Sequence, residues 1–222
     1  MIQRIILLFI FIYFSFSYAQ TKLTVHYDFK ANDDLVSMFP EFNNIENEIE
    51  TLDLQLFIDK DKSLFFNANE TKENEMAAIF ARANTNLYYD LNTKSFLYNN
   101  PQRFYLKENE YLIQDNYLIE WDITTEQKLI MNYTAVKAIS KTDKKTIAWF
   151  VPELPFAFGP HKFNNLPGLI VELQNQQGYY TMKKISFDNS IEINLPTKGN
   201  KITSKEFSQL QAEIEKEAKK YL

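Results

Sequence analysis

The sequence contains no cysteine and has only four glycines, seven prolines, two histidines and two tryptophans among its 222 residues. The absence of cysteine excludes disulfides, thiol nucleophiles and cysteine-ligated metals. The shortage of glycine and proline leaves few positions at which the backbone adopts special angles. Stability must therefore come from a packed core without covalent cross-links.

Neither basic nor acidic side chains are in large excess. The formal net charge is −5, from 24 basic and 29 acidic side chains, and no long run of Lys and Arg occurs. Nucleic acids and anionic membrane surfaces both require a basic patch on the protein that binds them. The charge pattern therefore argues against both as the main partner.

The N-terminus has the layout of a secretory signal peptide. An apolar run follows Arg4, and Ser17 and Ala19 place small residues at the −3 and −1 positions before Gln20. This run is too short to span a bilayer as a mature helix, and no later apolar run reaches that length. We expect residues 1–19 to be removed and the protein to lie in the periplasm, at the outer membrane or outside the cell.

The remaining residues, 20–222, read as a single β-rich domain. Apolar and polar residues alternate strictly over residues 22–29, which is the pattern of a strand with one buried face. Short connections favour antiparallel neighbours, and so we expect a large curved antiparallel sheet, partly closed into a barrel or sandwich. Strands are predicted over residues 22–29, 52–58, 63–67, 86–91, 95–98, 103–107, 111–114, 117–123, 129–139, 146–150, 169–173, 179–187 and 191–195.

Two segments have helical periodicity instead. Residues 73–83 predict one short internal helix. Near the C-terminus, Thr203 and Glu206 have the spacing of a capping box. An amphipathic helix lying against the sheet is predicted after it, with an apolar stripe formed by Phe207, Leu210, Ile214, Ala218 and Tyr221.

The scarce prolines and glycines gather in one place. Four of the seven prolines and two of the four glycines lie within residues 152–168. This composition predicts a shaped loop, and the apolar residues around its end predict that it packs onto the core. Pro167 and Gly168 fit a type II turn, in which Gly168 would have a positive φ.

The end of this loop carries a recognisable motif. With Leu166-Pro167-Gly168-Leu169-Ile170 the sequence resembles the GLPGLI family, bacterial secreted proteins named for that hexapeptide and largely of unknown function. The resemblance covers residues 121–173. Asn165 stands where the family usually has its first glycine, and Ala135 where many members carry cysteine; asparagine also tolerates positive φ. The motifs that follow the family's order are Trp121-Asp122-Ile123, Tyr133-Thr134-Ala135-Val136-Lys137-Ala138, Ala148-Trp149-Phe150-Val151-Pro152-Glu153-Leu154-Pro155 and Gly159-Pro160-His161-Lys162-Phe163.

No catalytic, metal or cofactor site is predicted. The sequence has no nucleophile elbow, Ser-x-x-Lys motif, phosphate loop or metal-ligand spacing. His26 falls on the polar face of the first strand, and His161 falls inside the 152–168 loop. Glu153 and Glu172 flank the motif, but their separation in sequence does not make them an acid–base pair.

Aromatic side chains around the motif are the candidates for binding a ligand or partner. Packing in the core is the commoner fate of such residues. The binding candidates are Trp149, Phe150, Phe156, Phe158, His161 and Phe163, and the structural motif consists of Asn165, Leu166, Pro167, Gly168, Leu169 and Ile170.

Three functions remain open at this point. The favoured hypothesis is a non-enzymatic binding or accessory module for a lipid, peptide or transported nutrient, beside an outer-membrane transporter. The alternatives are an envelope protein that docks through the 152–168 loop and a hydrolase with an unrecognised site. A deep apolar pocket favours a carrier, an exposed aromatic loop favours docking, and polar groups converging in a cleft favour an enzyme.

Overall fold

The computed structural model describes residues 22–33, 37, 52–69, 86–99, 106–107, 110–190 and 192–218. This part of the chain forms twelve strands and a C-terminal helix. The elements are β1 (Leu23–Ala31), β2 (Leu54–Asp59), β3 (Lys62–Asn67), β4 (Leu87–Asp90), β5 (Ser95–Asn99), β6 (Tyr111–Asn116), β7 (Trp121–Ile130), β8 (Tyr133–Ser140), β9 (Ile147–Val151), β10 (Leu169–Gln174), β11 (Gly178–Phe187), β12 (Asn200–Ile202) and α1 (Ser204–Ala218).

All twelve strands belong to one sheet in the order β12-β6-β5-β4-β3-β2-β1-β11-β10-β9-β8-β7. Neighbours pair antiparallel except β12, which runs parallel to β6. The predicted large curved sheet with a C-terminal helix is confirmed, although the sheet is mixed rather than purely antiparallel. It is also open, with β12 and β7 as its two edges.

The connection between β6 and β7 shows how strongly this sheet is curled. The two strands are ten strand-to-strand steps apart, which would be about 48 Å in a flat sheet. Residues 117–120 alone join them, and such a link spans at most about 18 Å. The sheet must therefore curl until β6 and β7 approach each other.

The curled sheet has a filled interior. The side chains of β1 alternate as predicted, with Leu23, Val25 and Tyr27 at most 2% exposed. The Tyr27 hydroxyl donates a hydrogen bond of 2.6 Å to Ile170 O, so β1 is tied to β10 past the intervening strand β11. One continuous core joins side chains from both ends of the sheet, including Tyr89 of β4 and Ala148 of β9. This core extends into the 152–168 loop.

Two predicted strands differ from the structure by more than two residues. The strand predicted over residues 117–123 begins only at Trp121, because the preceding residues cross between the two ends of the sheet. The strand predicted over residues 129–139 is a hairpin, because the chain turns at Met131 and Asn132. Met131 adopts a φ of 48°, and no glycine or proline marks that turn.

Toward the C-terminus one predicted strand is wrong and another was missed. Residues 192–195 form no strand; instead Ile193 packs on Tyr88, Leu97 and Leu112. The short parallel strand β12 was not predicted, because three residues carry no readable alternation. The helix predicted over residues 73–83, residues 103–105 of another predicted strand, and Ile191 lie outside the described residues.

The C-terminal helix begins as predicted. The Thr203 N–H donates to the Glu206 carboxylate at 2.9 Å, and the Glu206 N–H donates to Thr203 Oγ1 at 3.2 Å, which is a capping box. Phe207 is buried against Leu106 and Ile113, and thus the helix packs on β6. Within the described residues, no helix has both the length and the apolar character to cross a membrane.

Candidate functional site

The 152–168 loop is built into the core rather than displayed on the surface. Phe158 and Leu166 are each 1% exposed, and Leu154 and Phe163 are also buried. The ring of Phe158 meets that of Tyr89 edge-on at 6.4 Å between centroids. The loop therefore fills the interior of the curled sheet, as its apolar residues predict.

Hydrogen bonds fix the loop to the start of β10 and to the start of β7. The Leu169 N–H donates to Leu154 O at 2.8 Å, and the Ile170 N–H donates to Phe158 O at 2.9 Å. On the other side, Trp121 Nε1–H donates to Asn164 O at 2.8 Å. A loop held by both backbone and side chains is preformed, so whatever it presents at the surface has a fixed position.

Gly168 is essential to this shape for a reason other than the predicted one. It does not adopt a positive φ, and the prediction of a type II turn with Gly168 at positive φ is therefore wrong. A Cβ at this position would instead lie 2.2 Å from Val151 O. Glycine is needed because the backbones of two paired strands approach too closely for a side chain.

Asn165, at the start of the Leu166–Ile170 motif, does have a positive φ, of 69°. Asparagine tolerates this conformation better than most residues. Its side-chain amide also donates to Ile119 O at 2.8 Å. Asn165 therefore keeps the turn and fastens the loop to the β6–β7 link.

The six predicted binding residues fall into two groups. Phe150 and Phe158 lie in the core, while Trp149 and Phe156 pack against it in partly buried positions. The ring of Trp149 lies under the ammonium of Lys128 at 4.3 Å, and Lys128 also pairs with Glu172. Only His161 and Phe163 line a cleft at the surface.

This cleft, called here the loop cleft, has a volume of about 390 Å³ and opens to solvent where four segments meet. The segments are the β6–β7 link, the β8–β9 turn, the middle of the 152–168 loop and the β10–β11 turn. The lining residues are Tyr117, Leu118, Ile119, Ser140, Thr142, Asp143, Thr146, His161, Lys162, Phe163, Asn175, Gln176 and Gln177.

His161 forms part of the floor of the loop cleft. Its ring packs between Phe65 and Phe163, with centroid distances of 6.4 and 6.3 Å. Burial, reinforced by the positive charge of Lys162, lowers the pKa of His161 to about 3. The imidazole is therefore neutral at physiological pH and offers one donor and one acceptor nitrogen. Its φ of 55° is unusual for a non-glycine residue, and such backbone strain is often found at functional sites.

Lys162 brings the positive charge of the cleft. Its Nζ lies 5.0 Å from the centroid of the Tyr117 ring, in a cation–π contact. Burial lowers the pKa of Lys162, and the nearby carboxylate of Asp115 partly offsets that effect. An ammonium in this position is only partly hydrated, and so it gains more from an anionic partner than an exposed lysine does.

The other polar groups on the β8–β9 side are engaged in holding their turn. The Asp143 carboxylate accepts from the Lys145 N–H and from Thr146 Oγ1, each at 3.0 Å. Ser140 Oγ accepts from the Asp143 N–H at 3.2 Å. These contacts give the cleft a rigid wall, and they suit it to hold a ligand rather than to activate a nucleophile.

A second cleft, of about 530 Å³, lies beside β1 and includes the other histidine. His26 Nδ1 is 3.1 Å from Asp53 Oδ1, and Gln55 Nε2 donates to Asp53 Oδ2 at 2.6 Å. Lys183 in the same cleft donates to Asp28 at 2.8 Å. The charged groups of this cleft largely pair with each other, and so the loop cleft remains the better candidate. Within the described residues, no group of three or more His, Asp or Glu side chains could hold a metal.

Sequence reasoning missed most of the loop cleft. Tyr117, Asp143 and Lys162 were not candidates, because they come from segments that meet only in the folded chain. One available signal was the position of Lys162, next to His161 in the loop rich in proline and glycine. A lysine in a shaped, partly apolar loop is a better binding candidate than the phenylalanines around it.

Comparison with protein families gives a match to part of the chain. The model of a family described as a protein of unknown function, Porph_ging, matches residues 139–172. This stretch includes the 152–168 loop and more than half of the residues that line the loop cleft. No curated protein matches the chain.

Solved structures of PNGF-II are similar in fold. The C2 crystal form aligns with a TM-score of 0.56 at 13% identity, and the P21 form with 0.53 at 13% identity. In both cases the alignment covers 85% of this chain and 32% of the PNGF-II chain. This chain thus has the fold of about a third of PNGF-II.

Proposed function

We propose that this protein is a non-enzymatic binding or accessory module of the bacterial cell envelope, with a polar, peptide-like ligand bound in the loop cleft. The observation that carries the proposal is the 152–168 loop itself. Its apolar side chains are packed in the core and its backbone is hydrogen-bonded at several points, yet it presents His161 and Lys162 in an open cleft. Preformed clefts with a few fixed polar groups are typical of ligand sites.

The lining favours a peptide-like ligand over a lipid. Lys162 and the exposed amides of Gln176 and Gln177 offer hydrogen bonds to a peptide backbone, while Tyr117 and Phe163 offer apolar contact. A lipid carrier needs an enclosed apolar cavity. In the described part of the chain the interior is occupied by core side chains, and the loop cleft is open to solvent.

The comparison with PNGF-II supports the accessory role. There, the same fold accounts for about a third of a longer chain. A fold that occurs beside other structure in one protein is suited to act beside a separate partner in another, although fold alone does not assign function. An outer-membrane transporter or another envelope protein is the proposed partner.

The binding proposal predicts a ligand that leaves when the cleft is blocked. Native mass spectrometry of the chain, purified from periplasm without detergent, should show an extra mass that disappears on denaturation. Thr142→Trp, at an exposed position in the cleft, should remove that mass because an indole occupies the ligand's space. Thr125→Trp, at an exposed position of β7 outside the cleft, is the matched control and should retain it. A bare mass for all three proteins would contradict the proposal.

Export predicts a defined mature N-terminus. The protein recovered from periplasm should begin at Gln20, because small residues at −3 and −1 direct cleavage after Ala19. N-terminal sequencing or an intact mass reports this directly. Ala19→Leu should block cleavage and leave the precursor in the membrane fraction. An uncleaved wild-type chain in that fraction would show that residues 1–19 act as an anchor instead.

A further inference from the structure

The loop cleft is lined by one lysine, Lys162. Lys162 takes part in none of the ion pairs found among the described residues. The Asp115 carboxylate, which influences Lys162, accepts from the Ser204 N–H at the start of α1 at 3.2 Å. Asp143, the carboxylate that lines the cleft, is held by its own turn. The ammonium of Lys162 thus lies on an aromatic ring and forms no salt bridge within the described residues.

The cleft provides a single positive charge. His161 is the other titratable base that lines it, and its imidazole is neutral at physiological pH. One ammonium balances one negative charge, as a carboxylate carries, whereas a phosphate monoester carries about −1.5 to −2. Asp143 adds a carboxylate to the lining, and so a dianionic phosphate would meet more repulsion in the cleft than a singly charged carboxylate does.

From this geometry we propose that Lys162 binds a carboxylate of a peptide-like ligand in the loop cleft. This inference rests on the proposed binding function and specifies its ligand. The Lys162 ammonium donates to the carboxylate, and the hydroxyl of Thr142, on the exposed rim, is a second donor available there. Tyr117, Leu118 and Ile119 form the apolar wall against which the neighbouring side chain of the ligand lies.

The test uses the 15N-labelled chain from Gln20 onward and defined peptide mixtures. One mixture contains N-acetylated tripeptides with uncharged side chains and a free C-terminal carboxylate, and a second contains the same peptides as C-terminal amides. A third is amidated but carries one Glu or Asp side chain. We expect the free-acid mixture to shift amide resonances at residues 117–119, 142 and 161–163, and the neutral amides to leave them unchanged.

Variants test whether peptide binding depends on the charge of Lys162. Lys162→Met keeps the length of the side chain and its contact with the ring but removes the charge, and it should weaken binding about tenfold to a hundredfold. Lys162→Arg should retain binding within a few-fold. Lys145→Met, at an exposed lysine in the adjacent turn, should bind as wild type does. An unchanged melting temperature for Lys162→Met establishes that it is folded.

The possible outcomes distinguish failure of the carboxylate assignment from failure of the proposed binding function. Equal shifts with acids and neutral amides would overturn the carboxylate assignment while leaving a peptide site. Shifts with inorganic phosphate alone would also overturn it. A response to the acidic side chains equal to that of the free C-termini would support a carboxylate from either source. If no mixture shifts the cleft while native mass spectrometry shows a bound ligand, this inference fails and the proposed function stands.

Discussion

Replacing Gly168 with alanine is expected to lower the free energy of unfolding by about 2–4 kcal/mol, a large effect for one methyl group. The new Cβ would lie 2.2 Å from Val151 O and 2.6 Å from its carbonyl carbon. These are backbone atoms, and Val151 is paired with Leu169 in the β9–β10 ladder. Relief of the clash would thus separate two strands. Urea denaturation measures the loss, with an unchanged m value showing that the unfolded state is the same.

A substitution at Asn165, in the same motif, is a control that distinguishes a steric clash with a neighbouring strand from an unfavourable backbone conformation. Asn165→Gly removes the hydrogen bond to Ile119 O, worth about 1 kcal/mol, but relieves a positive φ by a similar amount. It should therefore change stability by less than about 1 kcal/mol. A Gly168→Ala protein as stable as wild type would show that β9 and β10 are farther apart at this point than described.

His161→Asn is expected to make stability less dependent on pH in mildly acidic solution. In the folded protein burial lowers the pKa of His161 to about 3, whereas the unfolded chain has an ordinary histidine value near 6.5. Between these two values the unfolded state binds a proton that the folded state does not, and so wild-type stability falls as pH falls from 6.5 toward 3. Asparagine does not titrate in this range, and it tolerates the φ of 55° at this position.

The size of the effect follows from about 1.4 kcal/mol per pH unit. Between pH 7 and pH 5 the wild type should lose roughly 1–2 kcal/mol more than the variant. Urea unfolding of both proteins at pH 7, 6 and 5 measures this difference. Carboxylates titrate in both proteins, so subtraction isolates the imidazole. Parallel stability curves would mean that His161 is protonated in the folded chain as readily as in the unfolded one.

Local patterns carried most of the correct predictions. The alternation in residues 22–29 predicted a strand with one buried face, and β1 has that face in the core. Thr203 and Glu206 predicted the start of α1 because a capping box needs only three residues of separation. Each of these features depends on neighbours along the chain, and a sequence displays such neighbours directly.

Errors arose mainly where the deciding contact was distant. One error was local: the turn at Met131 and Asn132 contains no glycine or proline, and the sequence on both sides of it was predicted as one strand. The need for glycine at position 168 was attributed to a positive φ, because the sequence does not reveal that Val151 O lies against this residue. Most of the aromatic residues that were predicted to bind a ligand are instead packed in or against the core.

The sequence by itself determined the β-rich class, the C-terminal helix with its cap and a shaped loop that packs onto the core, since period, capping and loop composition are local properties. Tertiary structure alone decided that β1 pairs with β11 and that the curled sheet brings β6 and β7 close enough for four residues to join them. It also decided that Lys162 meets Tyr117 across a cleft. Strand order and the burial of a charge depend on residues far apart in the chain, and only the folded chain brings them together.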